Sequence, residues 1–411
     1  MKRIQTIVIG AGQAGLAMSH CLSERGIAHV VVERGEVANS WRHERWDSLR
    51  LLTPNWQSRL PGFAYAGPDP DGFMSLSQVV RHLSDYARAS RAPVEERTRV
   101  TSVTIDGGGY RVATDRGDWA CRSLVIASGA CNLASLPACA AGLPDGIAQF
   151  TALQYRGPAQ LAAGGVLIVG ASATGVQFAA EIRAAGHAVT LAAGEHVRMP
   201  RHYRGRDIQW WMDRAGIHDA GHDAVDDPER VRRLPSAQLA GTSERRFFDL
   251  NALQDAGVEI VGRLSAIRDG QALFSGALAN CCALSDLKMN RLLATLDEWA
   301  ERAQPEGLQG IERFAPTRVP NPPRLTQDLT RGKFRTVIWA TGFRPDHGWL
   351  HAPVFDRKGR LAHREGVVAP GLYALGLPFL RRRNSALIDG VGADAAHLAD
   401  HIAGTHGRLA A

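Results

Sequence analysis

Near its start the chain carries Gly10-Ala11-Gly12-Gln13-Ala14-Gly15, six residues whose types and spacing suit a diphosphate. Gly10 permits a tight turn, Gly12 lets the backbone approach a pyrophosphate, and Gly15 lets the next helix pack on the preceding strand. A helix N-terminus at this point offers free N–H groups and the positive end of its dipole to an anion. Glu33, 18 residues past Gly15, stands where a carboxylate accepts hydrogen bonds from a ribose. The apolar run 6–10 reads as a buried parallel strand, 16–25 as a helix and 29–33 as a second strand. A glycine turn inside such a βαβ unit predicts dinucleotide binding.

The pattern recurs 160 residues later. Strand 165–170 leads into Gly170-Ala171-Ser172-Ala173-Thr174-Gly175, then a helix through Glu181 and a strand over 187–192. Ser172 replaces the middle glycine. Two such units predict two dinucleotides. The spacing that puts Glu33 after Gly15 puts Ala193 after Gly175, so no acid is there to repel a 2′-phosphate. Arg198, Arg201, Arg204 and Arg206 follow, and guanidinium groups suit phosphate. That favours NADPH over NADH; the alternative is a solvated basic loop, and Glu195 lies close by.

Other strand-then-glycine turns, 123–129 ending at Gly129 and 336–342 ending at Ala340-Thr341-Gly342, mark the places where the chain crosses between the two units. The apolar spacing over 283–302 predicts an amphipathic packing helix. Pro320, Pro322 and Pro323 mark a connection back, 371–376 a last strand and 393–402 a final helix. The expected architecture is α/β, with two Rossmann-like dinucleotide-binding domains, the second inserted into the first. The divisions are 1–158, 159–325 and 326–411.

Composition narrows the classes. The chain has 411 residues, 45% of them hydrophobic and 22% charged, as in folded soluble proteins. Its net charge of +7 is modest and scattered, which argues against a nucleic-acid partner. Cys21, Cys121, Cys131, Cys139, Cys281 and Cys282 include no CxxC, and no Cys/His cluster has zinc spacing, so no metal is expected. No apolar run of about 18 residues predicts a membrane span. Met1-Lys2-Arg3 runs straight into a strand, leaving no room for a signal peptide. A cytoplasmic, reducing location is expected.

Together these features resemble the flavin-containing monooxygenases over nearly the whole chain. Further matches are Ser40-Trp41-Arg42-His43 and the stretch 47–55 with Pro61-Gly62-Phe63, similar to the family's flavin-lining loop. The family's FxGxxxHxxx-aromatic stretch is matched at 150–158, where Tyr155 and Pro158 are kept and Thr151 stands at the histidine position. The resemblance implies FAD at Gly10, Gly12, Ala14, Gly15, Glu33 and Arg34, with Trp41, Leu52, Thr53, Gly129, Ala340, Thr341, Gly342 and Asp389 around it. It implies NADPH at Gly170, Ser172, Thr174 and Gly175; the basic stretch itself is what suggests Arg198 and Arg201 beside them. It implies hydride transfer from NADPH to FAD, a C4a-(hydro)peroxyflavin formed with O₂, and oxygenation of a small molecule at a nucleophilic N or S atom. Asn55 is the match for the family's asparagine near the reacting oxygen; its alternative is a turn residue capping its own backbone. A homodimer is expected. The related disulfide reductases need a cysteine pair at the flavin, which this chain lacks. Trp210-Trp211 could wall the substrate or simply pack, and Arg381-Arg382-Arg383 could meet an anion or solvent. An NADPH oxidase releasing H₂O₂, or a flavoprotein electron-transfer partner, are the other readings.

Overall fold

The computed structural model describes residues 1–242 and 244–410, the last five as helical backbone only. Two sheets carry the architecture. The first draws strands from both ends of the chain, and the second from the middle.

In the first sheet Lys2–Ile9 lies between His29–Val32 and Trp119–Ile126, parallel to both. Parallel strands buried on both faces read as continuous apolar runs, and Ile7, Val8, Val31, Leu124 and Val125 are fully buried. The register places Ile9 opposite Val32 on one side and Ile126 on the other. Three strand ends therefore finish level. Gly10, Glu33 and Ala127 leave the sheet side by side, tied by Gly10 N–H to Val32 O at 2.9 Å and Ala127 N–H to Ile9 O at 2.9 Å.

The second sheet runs Ala148–Thr151, Phe334–Trp339, Gly165–Val169, Val189–Ala193, Glu259–Gly262, with every pairing parallel. It repeats the arrangement. Gly170 N–H reaches Ala192 O at 3.0 Å, and Ala340 N–H reaches Val169 O at 2.9 Å. A two-stranded ribbon of Leu133–Ala134 and Phe343–Arg344 stands where the chain enters and leaves this sheet.

The divisions at 158 and 325 need correcting. Ala148–Thr151 and Phe334–Trp339 belong to the second sheet, so those divisions cut away two of its five strands. Proline signalled a break, but the prolines at 320–323 lie within the second unit. Strand pairing marks its edges instead, and the ribbon lies there.

The helix expected over 283–302 spans Leu278–Ala303 and buries Cys282, Ser285, Met289, Leu293, Leu296 and Ala300 at spacings of three and four. Leu284 and Leu287, counted in the apolar pattern, are 46% and 45% exposed. The Trp211 ring is fully buried edge-on to Trp210 and Trp299, and its Nε1 donates to Tyr203 O at 2.8 Å, so this pair packs. Among the described residues no helix is long and apolar enough to cross a membrane.

Candidate functional site

The level strand ends of the first sheet open onto a cavity of about 280 Å³. Gly10, Gly12, Ala14, Glu33, Arg34, Trp41 and Gly129 all stand on its wall. The first helix, Gln13–Glu24, begins on the same wall.

The glycines are dictated by contact. Gly10 has φ +107°, and a Cβ there would lie 2.5 Å from Ala127 O. A Cβ on Gly15 would lie 1.8 Å from Gly10 O, so only glycine lets the helix reach the turn. Gly12 differs: its φ of −84° suits any residue, and a Cβ would meet nothing within 4 Å. Its glycine keeps open the space that a ligand would fill.

Glu33 is 7% exposed. Its Oε2 accepts from Ala11 N–H at 2.8 Å and its Oε1 from Gly35 N–H at 3.0 Å. The carboxylate therefore fixes the glycine turn as well as facing the cavity, with lone pairs left for a ribose. Arg34 is paired with Glu44, and Arg45 lies over the Trp41 ring with 5.7 Å between guanidinium carbon and ring centroid. Both arginines line the cavity with Arg99, a cationic wall suited to a diphosphate.

Wall residues that sequence reasoning missed include Thr98, Arg99, Cys131, Asn132, Asp346, Gly376 and Ala386. They come from separate segments with no local motif. Asn132 joins two of these segments, its Nδ2 donating to Ser128 O at 2.9 Å and its Oδ1 accepting from Asp346 N–H at 3.1 Å.

The second glycine turn has the same geometry. A Cβ on Gly170, φ +110°, would lie 2.3 Å from Ala340 O, and one on Gly175 1.8 Å from Gly170 O. Ser172 has φ −83° and ψ −174°, against −84° and −172° at Gly12. The serine therefore costs no backbone strain; it places a side chain where the first turn keeps space. Thr174 lies in the first turn of the following helix, Ala173–Ala184. Ala340 is buried in the adjacent turn, Thr341 Oγ1 donates to Ser135 O, and Gly342 O accepts from Ser135 N–H.

The basic stretch does not meet the expectation placed on it. Arg198 is 3% exposed; its Nη2 lies 2.7 Å from Asp249 Oδ2 and its Nη1 2.7 Å from Asp286 Oδ1. Arg201 is 1% exposed, paired with Asp207, and its Nη1 donates to Leu52 O at 2.7 Å. Arg204 pairs with Asp297, and Arg206 lies over the Trp210 ring. A buried guanidinium needs a carboxylate, and Asp249, Asp286 and Asp297 supply it from far along the chain. Arg198 and Arg201 are corrected from phosphate ligands to internal ion pairs.

Leu52 is half-buried against the cluster around Met199, Tyr203 and Trp211, so Arg201 clamps the 47–55 loop to the second unit. Thr53 sits beside it, half-buried. Asn55 is 5% exposed on the short turn Asn55–Gln57 and lies off the first cavity's wall. Its Nδ2 donates to Asp69 O at 2.8 Å and its Oδ1 has no partner.

Asp389 also lies off that wall. It lines a second cavity of about 340 Å³ and holds Arg59, whose Nη2 is 2.8 Å from Asp389 Oδ2 and 2.8 Å from Asp213 Oδ1. The segment 376–390 walls both cavities: Gly376, Pro378 and Ala386 face the first, Arg382, Asn384 and Asp389 the second. Phe379 O, at φ +47°, is held by His222 Nε2 at 3.1 Å and Arg232 Nε at 3.4 Å.

His363 lies in the same neighbourhood. Burial, then the positive charges of Arg232 and His222, push its pKa down to about 4. The unfolded chain takes a proton near 6.5, whereas the folded one refuses it until about pH 4. Stability is thus full above 6.5 and is lost as pH falls towards 4. The melting temperature should drop by about 2 °C from this group between pH 7 and 5. His363→Gln should drop less over that interval; an equal drop would remove His363 from the cause.

Residues 7–211 match the family model described as pyridine nucleotide-disulphide oxidoreductase. An uncharacterized oxidoreductase, CzcO-like, from Geobacillus kaustophilus (strain HTA426) is 30% identical over 403 residues, covering 97% of this chain and 98% of the relative. The indole-3-pyruvate monooxygenase YUCCA6 of Arabidopsis thaliana is 35% identical over 130 residues, covering 30% of this chain and 31% of the relative. The chain belongs to the family of CzcO-like oxidoreductases. As a member of that family it is an oxidoreductase. The structure of a flavin-containing monooxygenase from Stenotrophomonas maltophilia superposes with a TM-score of 0.68 at 20% identity, covering 98% of this chain and 99% of that one. That superposition establishes a shared mixed α/β fold. Among the described residues of this CzcO-like oxidoreductase, no group of three or more His, Cys, Asp or Glu could hold a metal ion.

Proposed function

We infer that this chain is an FAD- and NADPH-dependent monooxygenase with two nested dinucleotide-binding units, oxygenating a small molecule at a nucleophilic N or S atom. The observation that carries this is the duplicated glycine turn. Gly10 and Gly170, and Gly15 and Gly175, make the same close contacts in one chain, with Glu33 closing only the first.

The residues present fit both groups. FAD would be held at Gly10, Gly12, Ala14, Glu33 and Arg34, with Trp41 and Gly129 on the same wall. Gly15 would act by bringing the helix N-terminus to the phosphates. NADPH would be held at Gly170, Ser172, Thr174 and Gly175. A bound flavin supplies hydride acceptance and O₂ activation, chemistry the side chains lack. The chain's own part is to orient and to exclude water. Arg201 fixes the 47–55 loop through Leu52 O, and Ala340-Thr341-Gly342 hold the crossing between the two sheets. Asn55 braces the 69–72 loop and keeps Oδ1 as its one uncommitted polar atom. Asp389 acts on the 376–390 wall through Arg59.

Two observations bear on rival readings. Cys131 is the single cysteine on the first cavity's wall, and all six cysteines are free, which leaves a disulfide relay without its second sulfur. Free cysteines also suit the cytoplasm, and the resemblance favours a homodimer. Thr151 donates from Oγ1 to Gln154 Oε1 at 3.0 Å, capping a turn where the family has histidine. That substitution keeps the H₂O₂-releasing oxidase as the second reading.

The test is to reduce the flavin-loaded protein with NADPH without oxygen, admit ¹⁸O₂, and screen amines and sulfides. One labelled oxygen atom per NADPH in a product is expected. Complete recovery of the reducing equivalents as H₂O₂ with every substrate would replace the monooxygenase with the oxidase.

A further inference from the structure

With Arg198 and Arg201 committed to internal carboxylates, the second unit needs another source of phosphate recognition. The first unit has a matching arrangement around its acid. There Glu33 follows the strand His29–Val32, and Val32 pairs with Glu95 on the neighbouring strand. The chain leaving that neighbour supplies Thr98 and Arg99 to the cavity wall, and Thr98 N–H donates to Glu33 O at 2.8 Å. The chain beyond the neighbouring strand thus faces the ribose position.

In the second unit Ala193 occupies the place of Glu33 and pairs with Gly262, the last residue of the neighbouring strand. The next residue is Arg263. A Cβ on Gly194 would lie 3.5 Å from Cβ, Cγ and Cδ of Arg263, so the arginine stem runs alongside Gly194. Arg263 is exposed, and its guanidinium has no hydrogen-bond or ion-pair partner among the described residues. The remaining charges nearby are accounted for. Glu195, whose carboxylate would repel a phosphate, is met by Lys288 Nζ at 3.2 Å. His196 is 2% exposed and burial holds it towards its neutral form.

We propose that Arg263, reaching across from the neighbouring strand beside Gly194, binds the 2′-phosphate of a phosphorylated adenosine ribose and so selects NADPH over NADH. The proposal rests on the reading of the second glycine turn as a dinucleotide site. A guanidinium opposite a dianionic phosphate makes charge-assisted, bidentate hydrogen bonds. Ala193 adds no carboxylate to oppose it. The arrangement discriminates by one group that NADH lacks, so removing Arg263 should equalise the two ligands rather than abolish binding.

The test is calorimetric titration of the flavin-loaded protein, its first site already filled, with 2′,5′-ADP and with 5′-AMP. The wild type should bind 2′,5′-ADP at least about 10-fold tighter. Arg263→Ala should bring the two within about 2-fold of each other, with 5′-AMP affinity unchanged, and Arg263→Lys should keep part of the preference. Being exposed, the position tolerates both changes, and melting curves verify this. Persistence of the preference in Arg263→Ala overturns the proposal. Equal binding of both ligands to the wild type also overturns it while leaving the dinucleotide site intact. Binding of neither ligand removes the dinucleotide reading of the second turn, and the proposal with it.

Discussion

Gly15→Val is expected to yield protein without flavin. Even a methyl at this position would sit 1.8 Å from Gly10 O, far inside contact distance. The helix Gln13–Glu24 must then move off the turn, carrying its N–H groups away from the diphosphate. Relief by side-chain rotation is not available, because the obstructing atom is backbone. The strand and helix lie in the main core with Val8, Leu16 and Leu22, so overpacking of about 1–3 kcal/mol accompanies the loss. Flavin absorbance of the purified protein and titration with FAD measure the effect, and more than about a 100-fold weakening is expected. Gly12→Ala is the control. Its backbone is extended and its Cβ would meet nothing, so the fold should keep its melting temperature while a methyl enters the ligand's space. If Gly15→Val purifies with full flavin, the first turn does not hold FAD and the proposed function loses its base.

Arg198→Ala is expected to act on stability rather than on cofactor choice. The guanidinium joins Asp249, Asp286 and Ala315 O in a site that is almost entirely buried. Removing it leaves two carboxylates close together without a counter-charge, at a cost of about 3–5 kcal/mol. A chain of this size should melt about 3–6 °C lower, or be recovered insoluble. Asp286 also accepts from Thr317 N–H at 2.8 Å, so the segment beyond residue 310 should loosen with it. Arg198→Ala/Asp249→Asn removes one stranded charge and should recover part of the loss. An unchanged melting temperature combined with a weakened 2′,5′-ADP affinity would return Arg198 to the phosphate site.

The contrast between Arg198 and Arg263 shows where sequence reading stops. Arg198 lies 23 residues past Gly175, near the expected phosphate position, and its charge is visible in the sequence. Its partners are 51 and 88 residues away, and only folding brings them into contact. Arg263 is 70 residues beyond Ala193 and became legible only once Ala193 was seen paired with Gly262. The same holds for Asp389. Its position before the last helix suggested the flavin, while the structure turns it towards Arg59 and a second cavity.

The glycine turns were legible because their requirements are local. A positive φ, a close backbone approach and an acid at the end of the next strand are all encoded within about thirty residues. Thus the sequence determined that there are two dinucleotide-type turns, that Glu33 closes one of them, and which strands adjoin them. Tertiary structure decided the rest. It set the limits of the second unit, since strand pairing of Ala148–Thr151 and Phe334–Trp339, not proline placement, assigns them to its sheet. It also decided which cations remain available to a ligand. A charge buried by packing must be neutralised by whatever carboxylate the fold brings near, and that choice is long-range.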